Sequence, residues 1–520
     1  MFTFPLRVFP LAVLLFMPPA LADDKPAGCV YVEVAKLPVK YAGPNLQATI
    51  PGTTNGKPAR MLMDTGAEIS ALTERYAEKL DLNMQSTGRW VSGIGGDARL
   101  YNARVNEMTV GPMRAGVSTM RVIGTMGSKP AFDVVVGAPF LLQADLEMNL
   151  ADREIKFFRP QHCQDSFLGY WKDAHVTEIP YNWRTTRGPN PHFTVTLNGH
   201  SLDAMIDSGA DTTVIELDAA RRAGLRLDAP DVKRLGNVVG VGESKVAYWS
   251  AHFDKLVIGD ENILDARIGV MESQGDRNVD IMLGRDFLRQ HRVLFAKSQK
   301  KLYISYIGKG EVFVSRTTSI EPWLQREADE GNPDAEYQLA SMYRTGSAVV
   351  PQDLRKANHW IELAARHGHP QAGLVVGRML MAAGRDAEAA PHLRAALDQL
   401  PEDGQAALSL YIARLRSSQA ALGQQELDAA FKDNKNWPAP VARFYLGRLD
   451  VAALFAQAAQ DAARTPDIAR RRVCDSTAAV ADLYAAQGRA AEATALLATH
   501  ADCKLAPRPV LAAAVVAPTQ

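Results

Sequence analysis

The chain is 520 residues long, and its 58 basic residues are balanced by 58 acidic ones, so its formal charge at pH 7 is zero. That balance excludes bulk electrostatic attraction to nucleic acid or to an anionic membrane as the basis of its function. With 47% hydrophobic residues, a chain of this length fills more than one core and divides into about three domains.

In chain order, Arg7 precedes a mostly apolar run from Val8 to Met17 and then Ala20-Leu21-Ala22. This pattern predicts a secretory signal peptide over residues 1–22, removed after Ala22. The run is interrupted by Pro10 and falls well short of the roughly 20 apolar residues of a spanning helix, which argues against an uncleaved anchor. Ala27-Gly28-Cys29 looks like the end of a lipoprotein box, but the polar Asp23-Asp24-Lys25 separates it from the apolar run. The reading is therefore a soluble mature protein, periplasmic or secreted. The four cysteines, Cys29, Cys163, Cys474 and Cys503, are even in number in a chain expected to leave the reducing cytoplasm, which points to two disulfides. Three pairings are possible. The favoured one joins Cys29 to Cys163, tying the start of a first lobe to its end, and Cys474 to Cys503, stapling a helical hairpin; four buried thiols are the alternative.

Composition then changes along the chain. Up to about residue 308, β-branched runs alternate with Gly, Asn and Pro turn signals, as in Phe193-Thr194-Val195-Thr196-Leu197 before Asn198-Gly199. From about Ile320, Ala becomes abundant and apolar residues recur at three- and four-residue spacing, as in Tyr337, Leu339, Ala340 and Tyr343. The predicted organisation is a mainly-β lobe over 30–165, a linker over 166–190 containing Trp171 and Trp183, a second lobe over 191–308, and an all-α region over 320–515.

The two lobes are an internal repeat. Asn55-Gly56 through Leu82 matches Asn198-Gly199 through Leu225 at the offset that separates Asp64 from Asp207, 143 residues. Met61-Leu62-Met63-Asp64-Thr65-Gly66-Ala67 thereby faces Ala204-Met205-Ile206-Asp207-Ser208-Gly209-Ala210. Further on, Gly93-Ile94-Gly95-Gly96 faces Gly240-Val241-Gly242-Glu243, and Val134-Val135-Val136-Gly137 faces Ile281-Met282-Leu283-Gly284. A lone Asp-hydroxyl-Gly turn is weak evidence. Two in matched frames, each after an apolar strand and each with a Gly-rich loop downstream, are specific.

On these residues both lobes resemble retropepsin-like aspartic protease domains, over about residues 40–307. The resemblance implies two acid-protease lobes fused in one chain, in the pepsin-like arrangement, with Asp64 and Asp207 as the catalytic carboxylates. Peptide hydrolysis by water needs a base for the water and an acid for the carbonyl oxygen, and two adjacent carboxylates sharing one proton supply both. The proton belongs to the pair rather than to either residue. The resemblance further implies that Thr65 and Ser208 make a reciprocal grip between lobes and that Gly66 and Gly209 crowd the dyad. It also implies that Gly93, Ile94, Gly95 and Gly96, with Gly240, Val241 and Gly242, are flaps that close over an extended peptide. No metal or organic cofactor is called for. A dyad within one chain is the economical model, although paired first lobes in a dimer would also build one.

The helical part carries its own resemblance. Gly331, Ala335, Leu339, Tyr343 and Gly346, then Asp353, Ala357, Trp360, Ala364-Ala365 and Gly368, are similar to a Sel1 repeat, a variant of the tetratricopeptide helix pair, with Gly331 and Gly368 separated by a period of 37. Small residues let the paired helices pack closely and aromatics fill the space between hairpins. The expected role is either a surface that recruits a protein partner or substrate, or a packing support for the lobes. His359, His367 and His369 on this repeat read as surface or helix-end residues rather than metal ligands. The intact aspartates and turns favour an exported aspartic endopeptidase over a peptide-binding adaptor with a protease fold that has lost turnover, or over a structural envelope component.

Overall fold

The structure, a computed structural model, describes residues 28–93, 96–111, 113–124, 130–171, 175–183, 190–238, 245–272, 279–308, 313, 320–347, 350–432, 434–460, 466–500 and 503. The expected signal peptide, residues 1–22, lies outside them.

Period-two patterning builds the lobes. In the strand Pro191–Leu197, Phe193, Val195 and Leu197 are buried while Thr194 is exposed, and Asn198-Gly199 turns the chain with both φ angles positive, at 47° and 83°. Asn55-Gly56 does the same in the first lobe, at 51° and 72°. Such backbone favours Asn and Gly and matches the twist of a tight hairpin.

Within each lobe a parallel crossing pairs the strand that ends in the aspartate turn with the strand that ends in glycine. Val134–Gly137 runs parallel to Lys57–Asp64, placing Gly137 beside Asp64. In the second lobe Ile281–Leu283 runs parallel to Ala204–Ile206, and the Asp207 amide donates to Leu283 O at 2.9 Å. These pairings belong to a ten-stranded sheet in the first lobe and an eight-stranded sheet in the second.

A third, six-stranded antiparallel sheet joins the lobes. Its order is Val30–Pro38, Glu154–Gln161, Asp145–Asn149, His291–Ala296, Lys301–Tyr306 and Thr177–Pro180. The seam falls where Met148 pairs with Val293, and a buried charge network fastens it. Glu147 accepts from Arg292 Nε at 3.0 Å and from Tyr170 Oη at 2.6 Å. Buried charges are tolerated only with such partners. Cys29 and Cys163 form a disulfide at the far edge of the same sheet, closing residues 134 apart in sequence, and Cys474 is bonded to Cys503.

Helices follow from Pro322–Asp329 to Ala490–Thr499. Pro333–Thr345, capped by Asn332, and Leu354–Arg366, capped by Asp353, form the first hairpin. Ala335, Leu339 and Ala364 are fully buried in it. One apolar core runs through both lobes and on into Leu324, Ala328, Ala335 and Leu339, while a second core fills the later helices. Among the described residues no helix is long and apolar enough to cross a membrane.

Candidate active site

Asp64 ends the strand Lys57–Asp64 and Asp207 follows the strand His200–Ile206, so each apolar strand delivers a carboxyl to the rim of its lobe. The turns then bend back on them. Asp64 Oδ1 accepts from the Gly66 and Ala67 amides at 3.0 and 2.8 Å, and Asp207 Oδ1 accepts from the Gly209 and Ala210 amides at 2.8 and 3.1 Å. The same oxygen in each lobe is thereby occupied, and each carboxyl is held in one orientation.

The hydroxyls that follow lock the two turns together. Thr65 Oγ1 donates to Ile206 O at 2.7 Å and accepts the Ser208 amide at 3.0 Å; Ser208 Oγ donates to Met63 O at 2.8 Å and accepts the Thr65 amide at 3.1 Å. Both residues are fully buried. Glycine is required next for steric reasons. A Cβ on Gly66 would lie 2.5 Å from Asp207 Oδ1, and one on Gly209 would lie 2.5 Å from Asp64 Cγ. Each glycine therefore packs against the carboxyl of the opposite lobe.

This crowding has an electrostatic result. Burial pushes the Asp64 carboxyl well above the usual carboxylate range, and the charge of Asp207 and a hydrogen bond to it push in the same direction. The amides of Ala67 and Gly66 oppose the shift. Two carboxyls so placed retain a proton that neither would hold alone.

The hairpin strands Met84–Gly93 and Gly96–Val105 meet with Gly93 opposite Gly96. Of the remaining expected flap residues, Ile94, Gly95, Gly240, Val241 and Gly242 lie outside the described residues.

Two residues at the turns escape sequence reasoning. Asn190, buried between the lobes, donates through Nδ2 to Thr65 O at 2.9 Å and to Gly66 O at 2.7 Å. Arg285, fully buried, donates through Nη1 to Gly209 O at 2.9 Å and through Nη2 to Asp211 at 3.1 Å. Arg285 has a signal after all: in the repeat frame its partner is Ala138, so it marks a place where the duplication is broken. Asn190 has none. On the helical repeat, His369 caps the helix Pro370–Ala382 through Nδ1, and His367 pairs with Glu336. A separate cavity of about 910 Å³ opens between the first lobe and the start of the helical region, with Tyr41, Tyr76, Asp133 and Asn332 in its wall; neither Asp64 nor Asp207 lines it.

Comparison with known proteins agrees with this architecture. Residues 50–140 match the aspartyl protease family model, residues 193–290 match the gag-polyprotein putative aspartyl protease model, and residues 333–369 match the Sel1 repeat model. The chain thus carries retropepsin-like aspartyl protease domains in a mainly-β region, followed by an all-helical region with a Sel1 repeat. Among curated proteins it is 30% identical over 180 residues to the UBA domain-containing protein Mud1 of Schizosaccharomyces pombe, covering 32% of this chain and 51% of that protein. It is 30% identical over 114 residues to the DNA damage-inducible protein 1 of Cryptococcus neoformans, covering 22% of this chain and 25% of that one. The chain therefore spans about half the length of the first of these relatives and a quarter of the second. An aspartic proteinase from Irpex lacteus superposes with a TM-score of 0.36 at 11% identity, over 55% of this chain and 99% of that one.

Proposed function

We propose that this chain is an exported aspartic endopeptidase that hydrolyses polypeptides with a water activated between Asp64 and Asp207. The observation that carries the reading is the reciprocal packing of the two turns, in which each carboxyl accepts two backbone amides and touches the glycine of the opposite lobe. Such an arrangement serves one reaction well. The ionised member of the pair takes a proton from the water as its oxygen attacks the peptide carbonyl carbon, and the protonated member gives its proton to the carbonyl oxygen. Collapse of the tetrahedral intermediate breaks the C–N bond: the carboxyl that took the water's proton gives it to the leaving nitrogen, a hydroxyl of the intermediate returns a proton to the other carboxyl as the new carboxylic acid forms, and the pair again holds one proton.

The grip between Thr65 and Ser208 supports a dyad formed within one chain rather than between two. Two disulfides support a location outside the reducing cytoplasm, as does the apolar run before Ala22. The face of the helical region turned away from the lobes would recruit a protein partner or substrate.

The test is incubation with a peptide library from about pH 4 to 7, with new termini read by mass spectrometry. Cleavage by the wild type that disappears in Asp64→Asn is the expected result. Peptide retention without cleavage in either form would replace this reading with that of a binding adaptor.

A further inference from the structure

The helical region reaches the Asp207 turn through one loop of the first lobe. On the helical side, Asn332 Nδ2 donates to Tyr41 O at 3.1 Å, Asp334 Oδ2 accepts the Gly43 amide at 2.8 Å, and Gln338 Nε2 donates to Pro44 O. On the protease side, Arg285 Nη2 donates to Asn45 O at 3.1 Å while Nη1 of the same guanidinium donates to Gly209 O. Residues 41–45 are thus held from one side by the first repeat and hold, from the other, the arginine that fixes the catalytic turn.

A second route runs through the short helix Arg285–Leu288, which ends at Arg289. The Arg289 guanidinium lies 3.7 Å from the ring centroid of Trp323 and 5.5 Å from that of Tyr41. Its Nε, Nη1 and Nη2 are buried and, among the described residues, make no hydrogen bond of ordinary geometry, while Tyr41 and Asp286 lie close enough to feel its charge. A buried cation so placed gains part of its compensation from aromatic faces, and the nearer face belongs to the helical region. Among the described residues the Asp64 turn has neither route: Ala138 stands where the second lobe has Arg285, and Asn190 caps the turn carbonyls instead.

We propose that the helical region is a positioning clamp for one half of the dyad: Trp323 and Asp334, through Arg289 and residues 41–45, hold Arg285 and with it the Gly209 turn in its working geometry. The proposal rests on the peptidase reading for its catalytic consequence but not for its structural one. Trp323, Asp334 and Arg285 are positioning residues, acting through other groups rather than on substrate.

The experiment uses the full chain with Trp323→Ala, Asp334→Ala and the milder Gln338→Ala, beside Trp323→Phe and Asp334→Asn. Amide exchange at residues 207–210 and at residues 64–67 is measured in the same preparations as kcat and KM for a cleaved peptide. The alanine variants should speed exchange at 207–210 by clearly more than at 64–67, where the Thr65 amide is itself bonded to Ser208. They should also lower kcat by about tenfold or more with KM within about twofold, since small displacements at reacting groups are costly, and the conservative variants should restore both readouts. Unchanged exchange and kcat, or exchange rising equally in both turns, would overturn the clamp. If Trp323→Ala does not fold, Asp334→Ala and Gln338→Ala decide the matter by the same criterion. If the wild type cleaves no peptide, the exchange contrast still decides for or against the clamp, and the peptidase reading fails separately.

Discussion

Thr65 and Ser208 exchange backbone for side chain in both directions: the Thr65 amide donates to Ser208 Oγ at 3.1 Å, and the Ser208 amide donates to Thr65 Oγ1 at 3.0 Å. Both residues are fully buried, so neither amide has water to fall back on. Thr65→Val keeps the shape and removes the hydroxyl, leaving the Ser208 amide and Ile206 O without this partner. Stability should fall by about 1–3 kcal/mol for each buried group so stranded, read as a lower urea midpoint. A midpoint equal to that of the wild type would mean the grip contributes nothing net.

Gly209→Ala tests the crowding of the dyad. The new methyl would sit 2.5 Å from Asp64 Cγ, so the carboxyl must move, while the rest of the second lobe has no reason to. The expected result is a native circular dichroism spectrum with kcat lowered by about 10²-fold. Full activity in this variant would show that the two carboxyls need no fixed separation.

The upward shift of Asp64 has a consequence for stability. A carboxyl whose folded pKa is raised stabilises the fold at low pH and loses that contribution as pH rises from its unfolded value, near 3.8, through its folded one. Asp64→Asn cannot ionise and escapes the loss. Its Tm should therefore exceed that of the wild type at pH 7, with the difference closing as pH falls toward about 4. Calorimetry across this range checks the sign, and a difference independent of pH would contradict it.

The Cys29–Cys163 disulfide closes residues 134 apart in sequence at the edge of the sheet shared by both lobes. Replacing both cysteines with serine should cost about 2–5 kcal/mol in unfolding free energy. Denaturation with and without reductant measures it, and insensitivity to both would remove the disulfide from the account of stability.

The parts of this molecule most legible in its sequence are those the reaction would require twice. Asp64 and Asp207, with their hydroxyl and glycine neighbours, stand in matched frames because both lobes make the same turn, so the duplication amplifies a short pattern into a specific one. The pairing of Cys29 with Cys163 follows from the ends of a lobe meeting. Asn190, Arg289 and Trp323 are not legible in this way. Each works by packing against residues remote in the chain, and a single polar or aromatic side chain carries no periodicity that reveals its partner. The six-stranded sheet is hidden for a similar reason, since pairing Asp145–Asn149 with His291–Ala296 is a long-range event that no local pattern specifies.

The most direct test of the central claim is cleavage of one peptide by Asp64→Asn, by Asp207→Asn and by an equimolar mixture of the two, beside the wild type. A dyad formed within one chain predicts a loss of about 10²–10⁴-fold or more in either variant, and no recovery on mixing. Retained activity in one variant alone, or recovery in the mixture, would contradict an intramolecular dyad of Asp64 and Asp207.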